Sequence, residues 1–302
     1  MLNIQEIKNQ LKENNAAALK KFGQNFLVSQ SVLAKIIAAA NLKPQDTILE
    51  IGPGLGGLTF ELAKKVEKVI AVEKDKKISA MLEKNLVVKG ISNVRVINED
   101  ALRPTPLLQT EGWGEISYKL VANLPYNIAT AVIMKFLEKQ NQPKLIVVMI
   151  QKEVAQRITA KPPHMNKLAV FCQLFAEPKI IDYVPSSAFW PKPKVDSAIL
   201  QLQPFKNHEE FKEPSSLFGR HSVPFKTLFQ KIVNAGFSHP RKALLNNLNQ
   251  NGKGLGFTDF SKDKVAAWLK ENNINPMQRP ETLSVENWQN LAKTSAAILI
   301  HS

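Results

Sequence analysis

Four consecutive residues, Asn123-Leu124-Pro125-Tyr126, bring an amide, a rigidly placed main-chain carbonyl and an aromatic face together within one turn. These groups can hold a flat heterocycle by its edge and its face at once. An exocyclic amine can donate one hydrogen to the Asn123 side-chain oxygen and the other to a backbone carbonyl. Tyr126 can stack on the ring, which contributes about 0.5–1.5 kcal/mol beyond the burial of area. Pro125 has no N–H and a fixed φ, so the turn stays open toward a ligand instead of joining a ladder. Asn and Pro are also ordinary turn formers. Read alone, the tetrapeptide is first a strand-ending turn, closing the strand Lys119-Leu120-Val121-Ala122.

Upstream, Ile48-Leu49-Glu50-Ile51-Gly52-Pro53-Gly54-Leu55-Gly56-Gly57-Leu58-Thr59 runs from an apolar strand through a glycine-rich turn into a helix expected from Leu58 to Val66. Glycines let the backbone approach a ligand closely, and the helix start offers unpaired N–H groups. A second strand, Val69-Ile70-Ala71-Val72, ends in Glu73, an acid suited to two ribose hydroxyls. A third, Val94-Arg95-Val96-Ile97, leads to Asp100, which can accept from an adenine amine. Glycine turn, acid and acid in this order form an adenosine-binding constellation on a doubly wound sheet. Gly52, Gly54 and Gly57 also satisfy G-x-G-x-x-G, so a nicotinamide dinucleotide enzyme is the competing expectation.

The fourth strand separates the two. Ligands of open α/β sheets bind beyond the carboxyl ends of the strands at the switch point. A base-gripping turn there puts an amine acceptor beside a nucleoside donor. A dehydrogenase would instead need a proton-transfer residue close by. The five histidines (His164, His208, His221, His239, His301) all lie outside the constellation. Methyl transfer from S-adenosylmethionine to an amine fits better.

Further motifs follow in order. They are Lys20-Lys21-Phe22-Gly23-Gln24-Asn25-Phe26-Leu27, Glu50-Ile51-Gly52-Pro53-Gly54, Asn123-Leu124-Pro125-Tyr126-Asn127-Ile128, Gln151-Lys152-Glu153-Val154-Ala155-Gln156-Arg157 and Ser187-Ala188-Phe189-Trp190-Pro191-Lys192-Pro193-Lys194-Val195-Asp196-Ser197. Together they closely resemble the KsgA/RsmA-type ribosomal RNA adenine dimethyltransferases. The resemblance runs from Lys20 to Pro240-Arg241-Lys242, and more loosely through Arg279-Pro280-Glu281-Thr282-Leu283. It implies a Rossmann-like S-adenosylmethionine-dependent methyltransferase sheet with a small all-α C-terminal domain. It implies Asn25, Leu27, Gly52, Glu73, Asp100 and Asn123 at the cofactor. Asn123, Leu124, Pro125 and Tyr126 would hold the target adenine, with Phe189 over the other face of its ring. For Phe189 the alternative is a core aromatic beside a proline-stiffened loop.

The chain departs from the family pattern in three places. Met165-Asn166-Lys167 stands for a Tyr-Gly-basic run, Ala131 for a frequent proline, and His239-Pro240-Arg241-Lys242 for a more continuous basic stretch. The implied reaction is dimethylation of two adjacent adenosines in a loop near the 3′ end of bacterial small-subunit (16S) rRNA, within small-subunit biogenesis. The alternatives are a resistance-type large-subunit rRNA adenine methyltransferase, or an RNA-binding ribosome-assembly factor with secondary catalysis. A sulfonium methyl is already activated, so no metal is expected.

Composition agrees with a polyanionic partner. The 302 residues carry a net charge of +14. Residues 1–204 hold 27 basic and 18 acidic side chains and residues 205–302 hold 13 and 8, so both parts are positive, at +9 and +5. The charge therefore predicts a face spanning both domains in place of a basic tail. The expected partner is small-subunit rRNA in an immature small ribosomal subunit, met by a single copy of the chain. The one cysteine, Cys172, lies in an apolar run and reads as a core thiol of a reducing cytoplasm. The apolar stretch 145–150 is too short for a bilayer. Boundaries are expected at a leader over 1–19, a catalytic domain over 20–204, a linker over 205–214 and a helical domain over 215–302. The leader, with Ile4, Ile7 and Leu11 at helical spacing, is expected to be short and amphipathic or partly disordered.

Overall fold

The computed structural model describes residues 3–16, 24–103, 117–205, 225–252 and 261–299. The boundary at 19/20, the segment Lys20-Lys21-Phe22-Gly23 and the linker beyond Phe205 lie outside the described residues. Two compact units are formed, one from 1–156 with 176–204, the other from 157–175 with 205–302.

In the first unit, apolar runs between turn residues become nine strands among the described residues. They are β1 (Phe26–Leu27), β2 (Thr47–Ile51), β3 (Lys68–Val72), β4 (Val94–Ile97), β5 (Tyr118–Asn123), β6 (Ile146–Gln151), β7 (Ala176–Val184), β8 (Phe189–Trp190) and β9 (Ser197–Pro204). Seven form one sheet in the order β4-β3-β2-β5-β6-β9-β7. β4 to β6 are parallel, and β9 is antiparallel to both β6 and β7. Parallel strands are covered on both faces, which explains their continuous apolar runs. Ile48, Leu49, Val69, Leu120, Val121, Val147 and Val148 are all fully buried. The chain leaves β2 toward β3 on one side and returns as β5 on the other, so the switch point lies between β2 and β5.

Helices begin where side chains can satisfy the free N–H groups of a first turn. Ser29 caps Gln30–Ala39, and Asp75 caps Lys76–Val88 by accepting from Lys77 and Ile78. The helix after the glycine turn is shorter than its apolar pattern suggests, Thr59–Ala63. Residues Ile4–Glu13 form a helix with an Asn3/Glu6 capping box, its Ile7 and Leu11 buried and Ile4 exposed.

The second unit is helical: Lys167–Phe175, Phe225–Gly236, Leu244–Asn251, Lys262–Glu271 and Val285–Leu299. Its core holds Phe229, Val233, Trp268, Trp288 and Leu291, all buried. Phe171 packs on Phe229 with ring centroids 6.3 Å apart, and Cys172 is buried in the same helix. Gly236 is required there, since a Cβ would stand 2.4 Å from the Trp288 ring. Ser261 caps the fourth of these helices, and Ser284 and Asn287 hold the start of the last. Among the described residues no helix is long and apolar enough to cross a membrane.

Candidate active site

One cavity of about 200 Å³ lies beyond the carboxyl ends of β2, β3 and β5, lined by Asn25, Leu27, Gly52, Glu73, Asp100, Asn123, Leu124, Pro125 and Tyr126. The sequence expectations for these nine positions thus converge on one place.

The glycine turn is shaped by close approach. Gly52 and Gly54 have φ of +69° and +59°, a region L side chains rarely adopt. A Cβ on Gly52 would stand 3.0 Å from Pro125 Cδ, and one on Gly54 3.2 Å from the Phe26 ring. The Gly52 N–H is tied to the Val72 carbonyl at 2.9 Å. Gly54 N–H donates to Glu73 Oε2 at 3.2 Å, and Asp75 N–H donates to Glu73 Oε1 at 2.9 Å. Glu73 thereby braces the glycine turn against the end of β3. Burial pushes its carboxyl up from the usual range, and the two backbone hydrogen bonds offset part of that.

Asp100 is engaged on both oxygens. Lys74 Nζ pairs with Oδ2 at 2.8 Å and Leu102 N–H donates to Oδ1 at 3.0 Å. Hydrogen bonding to Lys74 holds its carboxyl below the usual range. A carboxylate fixed this way can still accept an amine hydrogen on a remaining lone pair.

Two acids missed by sequence reasoning also line the cavity. Glu50 is 1% exposed, and its Oε2 has no hydrogen-bond partner among the described residues. Burial, added to by the charge of Glu73, raises its carboxyl to about 8. Glu99 likewise lines the cavity with a buried Oε2 that has no partner among the described residues. An acid within an otherwise apolar strand, as in Ile48-Leu49-Glu50-Ile51, was the available signal for the first. Nothing in the sequence distinguished Glu99 from its neighbour Asp100.

The Asn-Leu-Pro-Tyr turn closes β5. Leu124 N–H donates to the Met149 carbonyl at 3.1 Å, and Ile128 N–H to the Pro125 carbonyl at 3.1 Å. Asn123 Nδ2 donates to the Asn25 carbonyl at 3.2 Å, which turns its Oδ1 the other way as an acceptor. Tyr126 is half-buried, and its hydroxyl shares a 2.7 Å hydrogen bond with Ser197 Oγ at the start of β9. The ring is therefore held at a set angle instead of swinging freely.

Phe189 is placed differently from the expectation that it covers the far face of the target ring. It is 3% exposed, belongs to the core cluster with Leu33, Ile36 and Ile199, and is absent from the cavity lining. The reason is strand parity. β1 and β8 pair with Leu27 opposite Phe189 and Phe26 opposite Trp190. Side chains alternate along a strand, so Phe189 goes to the core while Phe26 and Trp190 stack on the other side at 6.5 Å.

The glycine cradle and the orphaned carboxyl oxygen of Glu50 fit a cationic nucleoside donor: backbone can approach its sugar, and a buried acid awaits positive charge. Comparison with known proteins decides the family. The description Ribosomal RNA adenine dimethylase matches residues 15–291. The chain belongs to the ribosomal RNA adenine dimethylase family. It is a methyltransferase whose donor is S-adenosylmethionine. A Ribosomal RNA small subunit methyltransferase A of Dehalococcoides mccartyi (strain CBDB1) is 45% identical over 276 residues, 91% of this chain and 87% of that protein. The crystal structure of a dimethyladenosine transferase from Plasmodium falciparum is similar with a TM-score of 0.73 and 25% identity, covering 90% of this chain and 98% of that one. The 23S rRNA methyltransferase ErmE is similar with a TM-score of 0.64 and 25% identity, covering 89% and 98%.

Proposed function

We propose that this dimethylase methylates the exocyclic amines of two adjacent adenosines in a loop near the 3′ end of small-subunit rRNA, acting as a single chain in the cytoplasm on an immature small subunit. The observation that supports this most is the shared cavity. The Asn123 amide is hydrogen-bonded to Asn25 of the donor-side segment, and Pro125 abuts Gly52 of the donor loop. A base held by the turn therefore meets a donor held by the loop with no intervening wall.

S-adenosylmethionine supplies, when bound, a methyl already activated on a sulfonium. Glu73 would take the ribose hydroxyls, Asp100 or Glu99 the adenine amine, and Glu50 the positive charge. On the acceptor side the chain must make a poor nucleophile reactive, because the adenine amine lone pair is delocalised into its ring. Asn123 Oδ1 and a backbone carbonyl of the turn would each accept one amine hydrogen. That favours a tetrahedral nitrogen with its lone pair aimed along the cavity. Tyr126 would fix the ring by stacking. Positioning of this kind can contribute about 7–11 kcal/mol to a barrier. The proton released after transfer can leave to solvent, so no dedicated base is needed. The target base must first leave its stack, which is least costly in an RNA loop.

The test is to map dimethyladenosine by mass spectrometry in rRNA from cells with and without the protein. Loss of adjacent dimethyladenosines from small-subunit rRNA alone is expected. Loss from large-subunit rRNA instead would reject the small-subunit assignment.

A further inference from the structure

Helix Ile4–Glu13 precedes the segment matched by the family, residues 15–291, yet it is built into the donor cavity. Ile7 and Leu11, one turn apart, are 2% and 4% exposed, packed in a cluster with Phe26, Leu55, Ile78 and Met81. Of these neighbours Phe26 and Leu55 line the cavity, and so does Ile7 itself. Polar contacts fasten the helix as well. Asn85 Nδ2 donates to Gln10 Oε1 at 3.0 Å, and Lys77 Nζ donates to the Asn15 carbonyl at 2.8 Å. Lys8 Nζ lies 5.7 Å from the centroid of the Trp190 ring.

We infer that this helix is a working part of the donor site, with Ile7 as a wall residue that retains the adenosyl group and sets which nucleosides are accepted. The inference rests on the cavity being the S-adenosylmethionine site. An aliphatic side chain beside the glycine turn offers contact area to the uncharged sugar and base of a sulfonium nucleoside. It offers nothing to a pyrophosphate, which would meet Ile7, Glu50 and Glu73 where a dinucleotide needs donors and positive charge. The helix is held by two buried side chains and a few polar contacts, so it can undock locally far more readily than the sheet can open. Release of S-adenosylhomocysteine then passes through that undocking, and the fit of Ile7 governs the rate.

The experiment compares the full chain with Ile7→Ala, Ile7→Val and a deletion of residues 1–13. Affinities for S-adenosylmethionine and S-adenosylhomocysteine are measured by calorimetry, release rates by stopped-flow competition, and folding by thermal denaturation without ligand. Ile7→Ala and the deletion should weaken both ligands by roughly tenfold, the scale of losing one apolar wall contact, and chiefly through faster release. Ile7→Val should restore most of the affinity, and the donor KM should rise while kcat holds or increases. Unchanged affinity and release in a folded Ile7→Ala variant would overturn the inference, whether or not the deletion folds. Failure of the unaltered chain to bind S-adenosylmethionine would instead overturn the donor-site assignment and this inference with it.

Discussion

Pro125 Cδ lies 3.0 Å from where a Cβ on Gly52 would stand. The acceptor turn and the donor loop are thus packed against each other through a residue with no side chain and one with a closed ring. Gly52→Ala forces two adjustments at once. The φ of +69° is unfavourable for alanine, at about 1–3 kcal/mol for such backbone strain. The methyl would also push Pro125 away. Donor affinity and catalysis should both fall, with stability lowered by a comparable amount. Calorimetry and a methylation assay on the same preparation check this, and a variant with intact activity would show that the loop tolerates the shift.

Tyr126 and Phe189 should respond in opposite ways. Tyr126→Ala should abolish most methylation while leaving donor affinity and melting temperature nearly intact. Tyr126→Phe keeps the ring and loses only the hydrogen bond to Ser197, so it should retain much of the activity. Phe189→Ala should first cost stability, about 3–5 kcal/mol for a buried aromatic, because the side chain packs in the core. Chemical denaturation measured beside activity separates the two. A Phe189→Ala variant that is fully stable yet inactive would restore Phe189 to the face of the target base.

Glu50 makes a pH prediction whose sign follows from its direction of shift. Its folded-state carboxyl titrates at about 8, above the ordinary value of 4.5, so the folded chain binds more protons than the unfolded one between these values. Stability of the protein without added ligand should therefore fall as pH rises through that window, by up to about 1.4 kcal/mol per pH unit from this one group. Glu50→Gln removes the dependence and should gain on the parent protein steadily from pH 4.5 to 8. Parallel stability–pH profiles for the two proteins would show that Glu50 is ionised in the fold. Donor affinity should drop in the same variant, since a bound cation favours the ionised form of Glu50 and glutamine has no proton to give up there.

Arg241 and Lys242 are exposed in the helical unit. If they contact rRNA phosphates, replacing both by alanine should weaken RNA binding and flatten its salt dependence. Each lost contact should reduce the log–log slope by about 0.9, or about 0.7 on a single strand. Donor affinity should not change. RNA titrations over a salt series give the slopes, and identical values would mean that these charges serve solubility alone.

Local sequence was enough for the parts of this protein whose structure is set by near neighbours. Apolar runs bounded by turn residues marked the parallel strands, because strands buried on both faces need no alternation. Glycine spacing marked the loop, and the order of Glu73, Asp100 and Asn123 followed from each strand ending at the same edge. Caps such as Ser261 and Ser284 need only local sequence, since the acceptor and the free N–H groups lie within one turn. Contacts across long separations were decided only by tertiary packing. Whether Phe189 faced the target base or the core depended on its register opposite Leu27, 162 positions earlier, and a slip of one residue would reverse its direction. The helix Lys167–Phe175 lies between β6 and β7 in sequence, yet its compact unit is that of the C-terminal helices. The raised carboxyl of Glu50 arises from burial and from the charge of Glu73 at the end of the neighbouring strand, which no local pattern specifies. Ile4–Glu13 has the amphipathic period of any surface helix, and only its docking on Phe26, Leu55 and Met81 brings Ile7 to the cavity.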